Sequence, residues 1–327
     1  MDETLLTVNN LRTEFQSGAR TVHAVNGVSF ILKKGEILGI VGESGCGKSA
    51  TCRSVIQLLP SGGRITGGEI LFKGIDLTEK GEKAMRDIRG REIAMIFQEP
   101  MNTLNPVTTI REQLTETMPG KLNREKKREE AARLLRMVGI PSPEERLRQY
   151  PHQFSGGMRQ RAMIAIALAS KPELLIADEP TTALDVTVQQ QIIRLLLDLR
   201  GTLGMAMIFI THDLGAASEL CDRIAVMYAG KIVEQAPADV LFRDPMHPYT
   251  RGLIQSVPNL EDRGKRLKSI PGHTPDLSAE IIGCPFEPRC PLASEQCRRA
   301  YPEVFHLTAD HYYTCWNAGK PDGRDTV

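Results

Sequence analysis

The sequence predicts an α/β fold built around a parallel sheet. Short apolar runs alternate with stretches of helical character, the pattern of strands joined by crossover helices. One apolar run, Ile37–Val41, leads directly into a glycine-rich loop, and another, Leu174–Ala177, ends in the adjacent carboxylates Asp178 and Glu179. Ligands bind at the carboxyl ends of the strands in such sheets. We therefore expect the functional residues at these strand ends.

The remaining elements follow in chain order. Strands are expected at Leu5–Val8, Val28–Leu32, Ile37–Val41, Ile93–Phe97, Leu174–Ala177, Met207–Thr211 and Ile224–Met227. Helices are expected at Lys48–Leu58, Thr187–Gly204 and Leu214–Cys221. Between about residues 100 and 170 the strand signals stop, and Arg124–Val138 has one charged and one apolar face at helical spacing. This stretch predicts a helical insertion in the α/β core.

Composition and charge narrow the class of protein. Of the 327 residues, 41% are hydrophobic and 25% are charged, as in ordinary soluble domains. The net charge is +1, without the excess of basic residues that is typical of nucleic-acid-binding proteins. We therefore expect no nucleic-acid partner. The start, Met1–Thr4, has no signal-peptide pattern, and no uncharged apolar run approaches the roughly 20 residues that cross a bilayer. We expect other subunits to provide any membrane path.

The segment Gly42–Ser49, GESGCGKS, fits the phosphate-loop pattern G-x-x-x-x-G-K-[ST] between a strand and a helix. Its glycines let successive backbone N–H groups face the phosphates of a nucleotide. Lys48 adds a cation, and the hydroxyl of Ser49 is a magnesium ligand. The predicted nucleotide-binding residues of this segment are Gly42, Ser44, Gly45, Cys46, Gly47, Lys48, Ser49 and Ala50.

Three further strand ends carry groups suited to hydrolysis. Of the two carboxylates after Leu174–Ala177, one can bind magnesium and the other can orient water as a base. An amide follows the strand at Ile93, and an imidazole follows the strand at Met207. The predicted catalytic residues are Glu179, His212 and Gln98, and the predicted Mg²⁺ ligands are Ser49, Gln98 and Asp178.

Together these motifs resemble, in type and order, those of the ATP-binding cassette (ABC) family over roughly residues 5–236. Gly42–Ser49 resembles the Walker A motif and Leu174–Glu179 the Walker B motif. Gln98 resembles the Q-loop residue and His212 the switch histidine. The resemblance implies a P-loop NTPase core of ABC type, with ATP and Mg²⁺ as substrate and cofactor. Phe15 stands where the family places an aromatic residue that stacks on adenine.

Two more segments carry the resemblance. Phe154–Gln160, FSGGMRQ, resembles the signature motif, and Thr182–Asp185 resembles the D-loop, with Asp185 as its acidic residue. The family pattern implies a head-to-tail dimer in which Ser155, Gly156 and Gly157 complete the ATP site of a partner subunit. Met158 stands where the usual signature has glutamine, so the backbone N–H groups remain but a side-chain hydrogen bond is lost.

The sequence after Pro237 is rich in prolines and turn residues, which indicates a domain boundary there. We expect a cassette at residues 1–236, with its helical subdomain at about 100–170, and a loop-rich extension at 237–327. Asp244–Thr250 and Gly283–Pro291 resemble the segment that follows the cassette in dipeptide and oligopeptide importer ATPases. That resemblance implies a peripheral subunit on the cytoplasmic face of a bacterial inner membrane. The implied partners are a second, paralogous ABC ATPase, two transmembrane permease subunits and an extracytoplasmic peptide-binding protein.

Two alternatives stay open at this stage. Importers of nickel and other small solutes share much of this sequence pattern, so their ATPase subunits are the first alternative. A soluble ABC ATPase acting on DNA or ribosomes is the second, but such proteins usually carry two cassettes or a coiled-coil insertion, and this chain has one cassette and no such insertion.

Four cysteines lie close together near the end of the chain, with the spacing C-x5-C-x6-C-x17-C. Without an export signal a disulfide set is disfavoured, and a metal site is the better interpretation. The C-x2-C pairs typical of zinc are missing, which favours an iron–sulfur cluster; zinc, or no ligand at all, stays open. The importer resemblance also suggests a structural [4Fe–4S] cluster. The predicted ligands are Cys284, Cys290, Cys297 and Cys315.

Overall fold

The computed structural model describes residues 3–18, 20–98, 103–118, 120, 122–182, 184–257, 269–279 and 281–319. The chain forms two compact units whose segments alternate along the sequence. The catalytic unit, as we name it, comprises Met1–Glu3, Lys33–Glu36 and Glu79–Ile210. The loop unit comprises Thr4–Leu32, Ile37–Thr78 and Thr211–Val327. Strands and helices occur in both units, which confirms the α/β class.

The strands are β1 (Thr4–Ser17), β2 (Arg20–Lys33), β3 (Ile37–Val41), β4 (Gly63–Phe72), β5 (Ile75–Asp76), β6 (Ile93–Ile96), β7 (Leu174–Asp178), β8 (Ala206–Thr211), β9 (Arg223–Tyr228), β10 (Lys231–Pro237), β11 (Phe305–His306) and β12 (Tyr312–Tyr313). The helices are α1 (Lys48–Val55), α2 (Glu82–Ile88), α3 (Ile110–Thr117), α4 (Arg124–Met137), α5 (Pro143–Arg146), α6 (Gly156–Leu168), α7 (Val186–Leu203), α8 (Leu214–Leu220), α9 (Ala238–Arg243), α10 (Pro248–Gln255) and α11 (Glu295–Arg299). Short 3₁₀ turns cover Pro151–Gln153 and Glu287–Arg289.

In the catalytic unit, β6, β7 and β8 form parallel pairs. Ile93 lies opposite Leu174, and Leu174 lies opposite Ala206. Every residue of β7 is buried, as expected for a strand covered on both faces. Since the strands run in the same direction, the residues that follow β6 and β7 leave the sheet at the same end. This arrangement brings Gln98 to Glu179.

Between β6 and β7 the described regular elements are all helical, as the sequence predicts. Thr109 and Glu112 form a capping box that starts α3. The side chain of Asn123 caps α4, and the apolar face of α4 buries Ala131, Leu134 and Leu135. The charged face of the same helix remains largely exposed. Amphipathic spacing alone therefore predicted this helix to within one residue.

The loop unit contains an antiparallel arrangement in the strand order β2-β1-β4-β5. A second set of strands begins with β3, which pairs in parallel with β9. From there β9 pairs with β10, β10 with β12 and β12 with β11, all antiparallel. The last described part of the chain thus adds two short strands to the edge of β10.

Several strands differ from the sequence prediction. β1 and β2 are each 14 residues long, because pairing continues well beyond the apolar runs that predicted them. β4 was missed because its ten residues include three glycines, which weaken a strand signal. β10 was missed because Glu234 and Gln235 interrupt its apolar pattern, although both are buried.

Candidate ATP-binding and catalytic site

The loop between β3 and α1 has two positions where the backbone requires glycine. Gly42 and Gly47 have φ angles of 154° and 106°. A side chain on Gly42 would begin 2.2 Å from the carbonyl oxygen of Met227, and one on Gly47 would begin 2.2 Å from that of Ala24. Neighbouring backbone therefore packs directly against the loop, which keeps the tight curve that a phosphate cradle needs.

Lys48 begins α1 and folds back over this loop. The residue is 4% exposed, and its Nζ donates hydrogen bonds to the carbonyl oxygens of Gly42 (2.8 Å) and Glu43 (2.9 Å). Cys46 is also buried, and burial raises the pKa of its thiol. Ser44 and Gly45 are exposed, whereas Ser49 and Ala50 are half-buried. The predicted phosphate-binding segment thus has a buried cation and an accessible tip.

Phe15 lies near the end of β1, opposite Gly63 of β4. Its Cε1 atom is 2.7 Å from the place where a side chain on Gly63 would begin, so the ring occupies the space that this glycine leaves. Phe15 is half-buried. A ring that is fixed on one side and accessible on another suits stacking on a base.

The end of β7 carries the two predicted carboxylates in different environments. Asp178, the last residue of the strand, is completely buried. Glu179 is half-buried and has a φ angle of 48°, in the left-handed region. Its N–H donates to the carbonyl oxygen of Ile210 at 3.1 Å, which fixes this backbone. Strained non-glycine residues of this kind cluster at functional sites.

The carboxylate of Glu179 is held by two donors. Its Oε2 accepts a hydrogen bond of 3.1 Å from Nε2 of Gln98 and one of 2.9 Å from Oγ1 of Thr182. The structure therefore brings together two of the predicted catalytic residues, separated by 81 positions in the sequence.

The predicted signature segment begins α6. Oγ of Ser155 accepts a hydrogen bond of 3.3 Å from the N–H of Met158, so Ser155 is the N-cap of the helix. Ser155 and Gly156 are exposed, and nothing lies within 4 Å of the place where a side chain on Gly156 would begin. An accessible helix N-terminus with no acidic residue in its first turn suits an anion from another molecule.

Asp185 lies at the start of a helix, and His212 lies just after the end of a strand. Oδ1 of Asp185 accepts a hydrogen bond of 3.0 Å from the N–H of Val188 and caps α7. Ala183, in the predicted D-loop, lies outside the described residues. His212 is exposed and directly follows β8. The catalytic unit holds Gln98, Ser155–Gly157, Asp178, Glu179 and Asp185, and the loop unit holds Phe15, Gly42–Ala50 and His212.

The whole chain is similar to known transporter ATP-binding proteins. A family profile described as "ABC transporter" matches residues 25–182, and one described as "Oligopeptide/dipeptide transporter, C-terminal region" matches residues 233–297. The "Probable peptide ABC transporter ATP-binding protein y4tR" of Sinorhizobium fredii is 51% identical over 97% of this chain and 96% of its own length. The "Dipeptide transport ATP-binding protein DppD" of Bacillus subtilis is 50% identical over 96% of this chain and 95% of its own length.

The chain belongs to the family of ABC transporter ATP-binding proteins. A solved structure, the dimeric form of MJ0796, a bacterial ABC transporter cassette, aligns with a TM-score of 0.65 and 28% identity. The alignment covers 72% of this chain and 99% of that one. The ABC-type P-loop fold and ATPase activity predicted from the sequence are confirmed. None of the helices in the part of this ABC protein that the structure describes is long and apolar enough to cross a membrane.

The four C-terminal cysteines of this ABC protein share one environment. Burial, followed by the charges of the other cysteine thiols, raises the pKa of Cys284 to about 11 and that of Cys290 to about 12. Asn317 donates from its backbone N–H to Sγ of Cys315 at 3.4 Å and from Nδ2 to Sγ of Cys297 at 3.8 Å. Among the described residues, however, no group of three or more His, Cys, Asp or Glu side chains is arranged to hold a metal ion. The predicted cluster, and the zinc alternative, therefore receive no support from this arrangement.

Three residues, Thr182, Tyr249 and Arg289, make hydrogen bonds to the nucleotide-binding elements that the sequence did not predict. The contact of Thr182 could have been predicted from local sequence, because Thr182 follows Glu179 by three positions and has a hydroxyl group that can donate to its carboxylate. No local sequence pattern predicts the contacts of Tyr249 and Arg289. Both contact Glu43 in the phosphate-loop segment from positions 206 and 246 residues away.

Proposed function

We propose that ATP hydrolysis by this chain powers the import of dipeptides or oligopeptides by a multi-subunit ABC transporter. The observation that carries the proposal is similarity over nearly the full length to ATP-binding proteins named for peptide and dipeptide transport. The similarity includes the C-terminal region at residues 233–297, beyond the cassette common to ABC proteins. This region favours peptides over nickel or another small solute as the cargo.

We propose that the Gly42–Ser49 loop binds the phosphates of ATP through its backbone N–H groups. Lys48 would exchange its two carbonyl partners in the loop for phosphate oxygens. Ser49, Gln98 and Asp178 have the oxygen donors that Mg²⁺ prefers. When bound, Mg²⁺ neutralises charge on the phosphates. Phe15 would stack on the adenine ring.

For hydrolysis, the proposed base is Glu179. Its carboxylate would orient a water molecule and accept a proton as the water oxygen attacks the γ-phosphate and ADP leaves. Gln98 and Thr182 already hold Oε2 of this carboxylate, which limits its rotation. His212 would complete the catalytic set as the switch histidine.

The accessible start of α6 supports a second ATPase subunit as a partner. Ser155, Gly156 and Gly157 would bind the γ-phosphate of ATP held by a second, paralogous ATPase subunit, and Asp185 would lie at the same dimer interface. Two transmembrane permease subunits and an extracytoplasmic peptide-binding protein would complete the transporter. The chain would then act at the cytoplasmic face of a bacterial inner membrane, with a cassette at residues 1–236 and an extension at 237–327.

For the four cysteines we propose a structural [4Fe–4S] cluster that forms in the cell. The proposal rests on the C-x5-C-x6-C-x17-C spacing and on the resemblance to peptide importers, since the described side chains are not arranged to hold a metal ion. The four cysteines would hold the cluster as thiolates, and bound iron would stabilise that form of the buried thiols.

The function is tested by purifying the tagged chain from native membranes in mild detergent, together with an uptake assay in cells. We expect it to bring down two multi-span proteins and a second ABC ATPase. Cells carrying Glu179→Gln should lose uptake of a labelled dipeptide and keep nickel uptake. If the Glu179→Gln cells lost nickel uptake and kept dipeptide uptake, the cargo would be nickel. Recovery alone, or with ribosomes, would contradict the transporter function.

A further inference from the structure

Glu43, the second residue of the phosphate-loop segment, is held by the C-terminal extension. The guanidinium group of Arg289 donates two hydrogen bonds to its carboxylate, from Nη1 to Oε2 at 2.6 Å and from Nη2 to Oε1 at 2.9 Å. The side chain of Arg289 is 4% exposed and that of Glu43 is 30% exposed. A two-point contact of this kind fixes both the position and the orientation of the carboxylate.

The backbone of Glu43 is held as well. Its N–H donates a hydrogen bond of 2.9 Å to Oη of Tyr249, a fully buried residue of α10. The ring of Tyr249 packs against Tyr228 and Phe286, with centroid distances of 4.6 and 5.3 Å. Tyr228 in turn accepts a hydrogen bond of 3.3 Å from Arg289. The two residues that hold Glu43 therefore belong to one packed cluster.

The third polar group of Glu43, its carbonyl oxygen, accepts the hydrogen bond from Nζ of Lys48. Glu43 is thus the point where the extension and the phosphate-binding lysine meet. The loop around it is rich in glycine, which places no side-chain restriction on the backbone, so its curve depends on the neighbours that hold it. Fixing one residue by both its backbone and its side chain reduces that freedom in advance.

The negative charge of Glu43 gives a second reason for its ion pair with Arg289. A carboxylate in a loop that receives the phosphates of ATP repels its own ligand, with an energy that depends on how well the carboxylate is neutralised. Arg289 is the buried cation that neutralises it. Loss of Arg289 would leave an uncompensated anion in the phosphate-binding segment, whereas loss of both partners would not.

We propose that Arg289 and Tyr249 are positioning residues for the phosphate loop, and that through Glu43 the C-terminal extension sets the affinity for ATP. This inference rests on the proposed binding of ATP by the Gly42–Ser49 loop. Neither residue needs to touch the nucleotide. The consequence is a C-terminal segment that takes part in nucleotide binding although it lies outside the Walker and signature motifs.

The test is a double-mutant cycle on the full chain, with ATP binding and hydrolysis measured separately. Arg289→Gln should raise the Kd and KM for ATP about tenfold and leave kcat within about twofold. Adding Glu43→Gln should restore both constants to within about threefold of wild type, since the repelling charge is gone. Arg298→Gln is the matched control, because Arg298 is an exposed arginine of the same extension that pairs with the half-buried Glu287, and it should change neither constant.

Tyr249→Phe provides a milder variant that keeps the buried ring and removes only the acceptor for the N–H of Glu43. The Kd for ATP should rise about threefold to fivefold with little change in Tm. Wild-type affinity in both Arg289→Gln and Tyr249→Phe would overturn the inference. So would a double variant that binds as weakly as Arg289→Gln, because Arg289 would then only support the fold. If the wild-type chain itself bound no ATP, the proposed function would fail first.

Discussion

Nε2 of Gln98 donates a hydrogen bond of 3.1 Å to Oε2 of Glu179, so the residues that follow two neighbouring parallel strands meet directly. Thr182 donates to the same oxygen atom. The carboxylate is therefore oriented by its own protein before substrate arrives, which is the property expected of a base that positions water.

Glu179→Gln should abolish hydrolysis while preserving ATP binding. The amide oxygen can still accept from Gln98 and Thr182, but an amide cannot take a proton from water. We expect kcat to fall at least about a hundredfold, with a nearly unchanged Kd for ATP and an ATP-trapped dimer in size-exclusion chromatography. The exposed Glu116→Gln is the control. Turnover at the wild-type rate in Glu179→Gln would remove Glu179 as the base.

Thr182→Val tests the second donor to Glu179. Valine keeps the shape of threonine and loses the hydroxyl group, so the carboxylate gains rotational freedom without a change in packing. We expect kcat to fall about fivefold to tenfold and KM to stay constant. Thr202→Val, at an exposed position of α7, should have no effect. Equal rates for the two variants would show that Thr182 does not orient the base.

Cys46 should react slowly with thiol reagents. It is 2% exposed, and burial raises the pKa of its thiol, so little thiolate exists at neutral pH. Its labelling rate, followed by peptide mass spectrometry, should increase with pH beyond the range of an ordinary cysteine and should fall when ATP is present. The labelled protein should lose ATP binding. A labelled protein that binds ATP with unchanged affinity would place the phosphate site elsewhere.

The cysteine proposal is decided by iron and acid-labile sulfide content. Protein isolated without oxygen should contain about four of each per chain, and Cys290→Ser should lose most of both and have a lower Tm. Cys221→Ser, in the loop unit but outside the four-cysteine set, should keep its iron. Equal iron in Cys290→Ser and wild type, or none in either, would exclude a four-cysteine cluster.

His247 should make stability depend on pH in a defined window. It is 1% exposed, and burial lowers its pKa from 6.5 to about 4. The unfolded chain therefore binds a proton at higher pH than the folded one, so the free energy of unfolding should fall as the pH drops from 6.5 to 4. The loss amounts to about 3 kcal/mol in total.

His247→Asn is the comparison for that measurement, because asparagine can still accept the hydrogen bond from the N–H of Tyr249. Chemical denaturation at several pH values should show a shallower decline for this variant than for wild type. Parallel curves would mean that His247 does not titrate in this window.

The sequence contained most of the local information. Strand β3, the Gly42–Ser49 loop and the start of α1 could be predicted because spacing and glycine chemistry are local properties. The meeting of Gln98 and Glu179 could be anticipated from parallel strands. The contacts of Arg289 and Tyr249 with Glu43 could not, because no periodic pattern links residues more than 200 positions apart. The two strands β11 and β12 were missed for a similar reason, since two-residue strands have no pattern of their own.

The pairing of β12 with β10 has a consequence for the behaviour of shortened chains. Glu234 in β10 is completely buried and accepts hydrogen bonds from the N–H groups of Met246 and His247 and from Nε2 of His311, all contributed by the extension. A chain ending at Pro237 would expose both this carboxylate and an unpaired strand edge. Exposed edges recruit strands from other molecules. The cassette expressed alone should therefore aggregate rather than remain monomeric, whereas in the full chain β12 pairs with this edge.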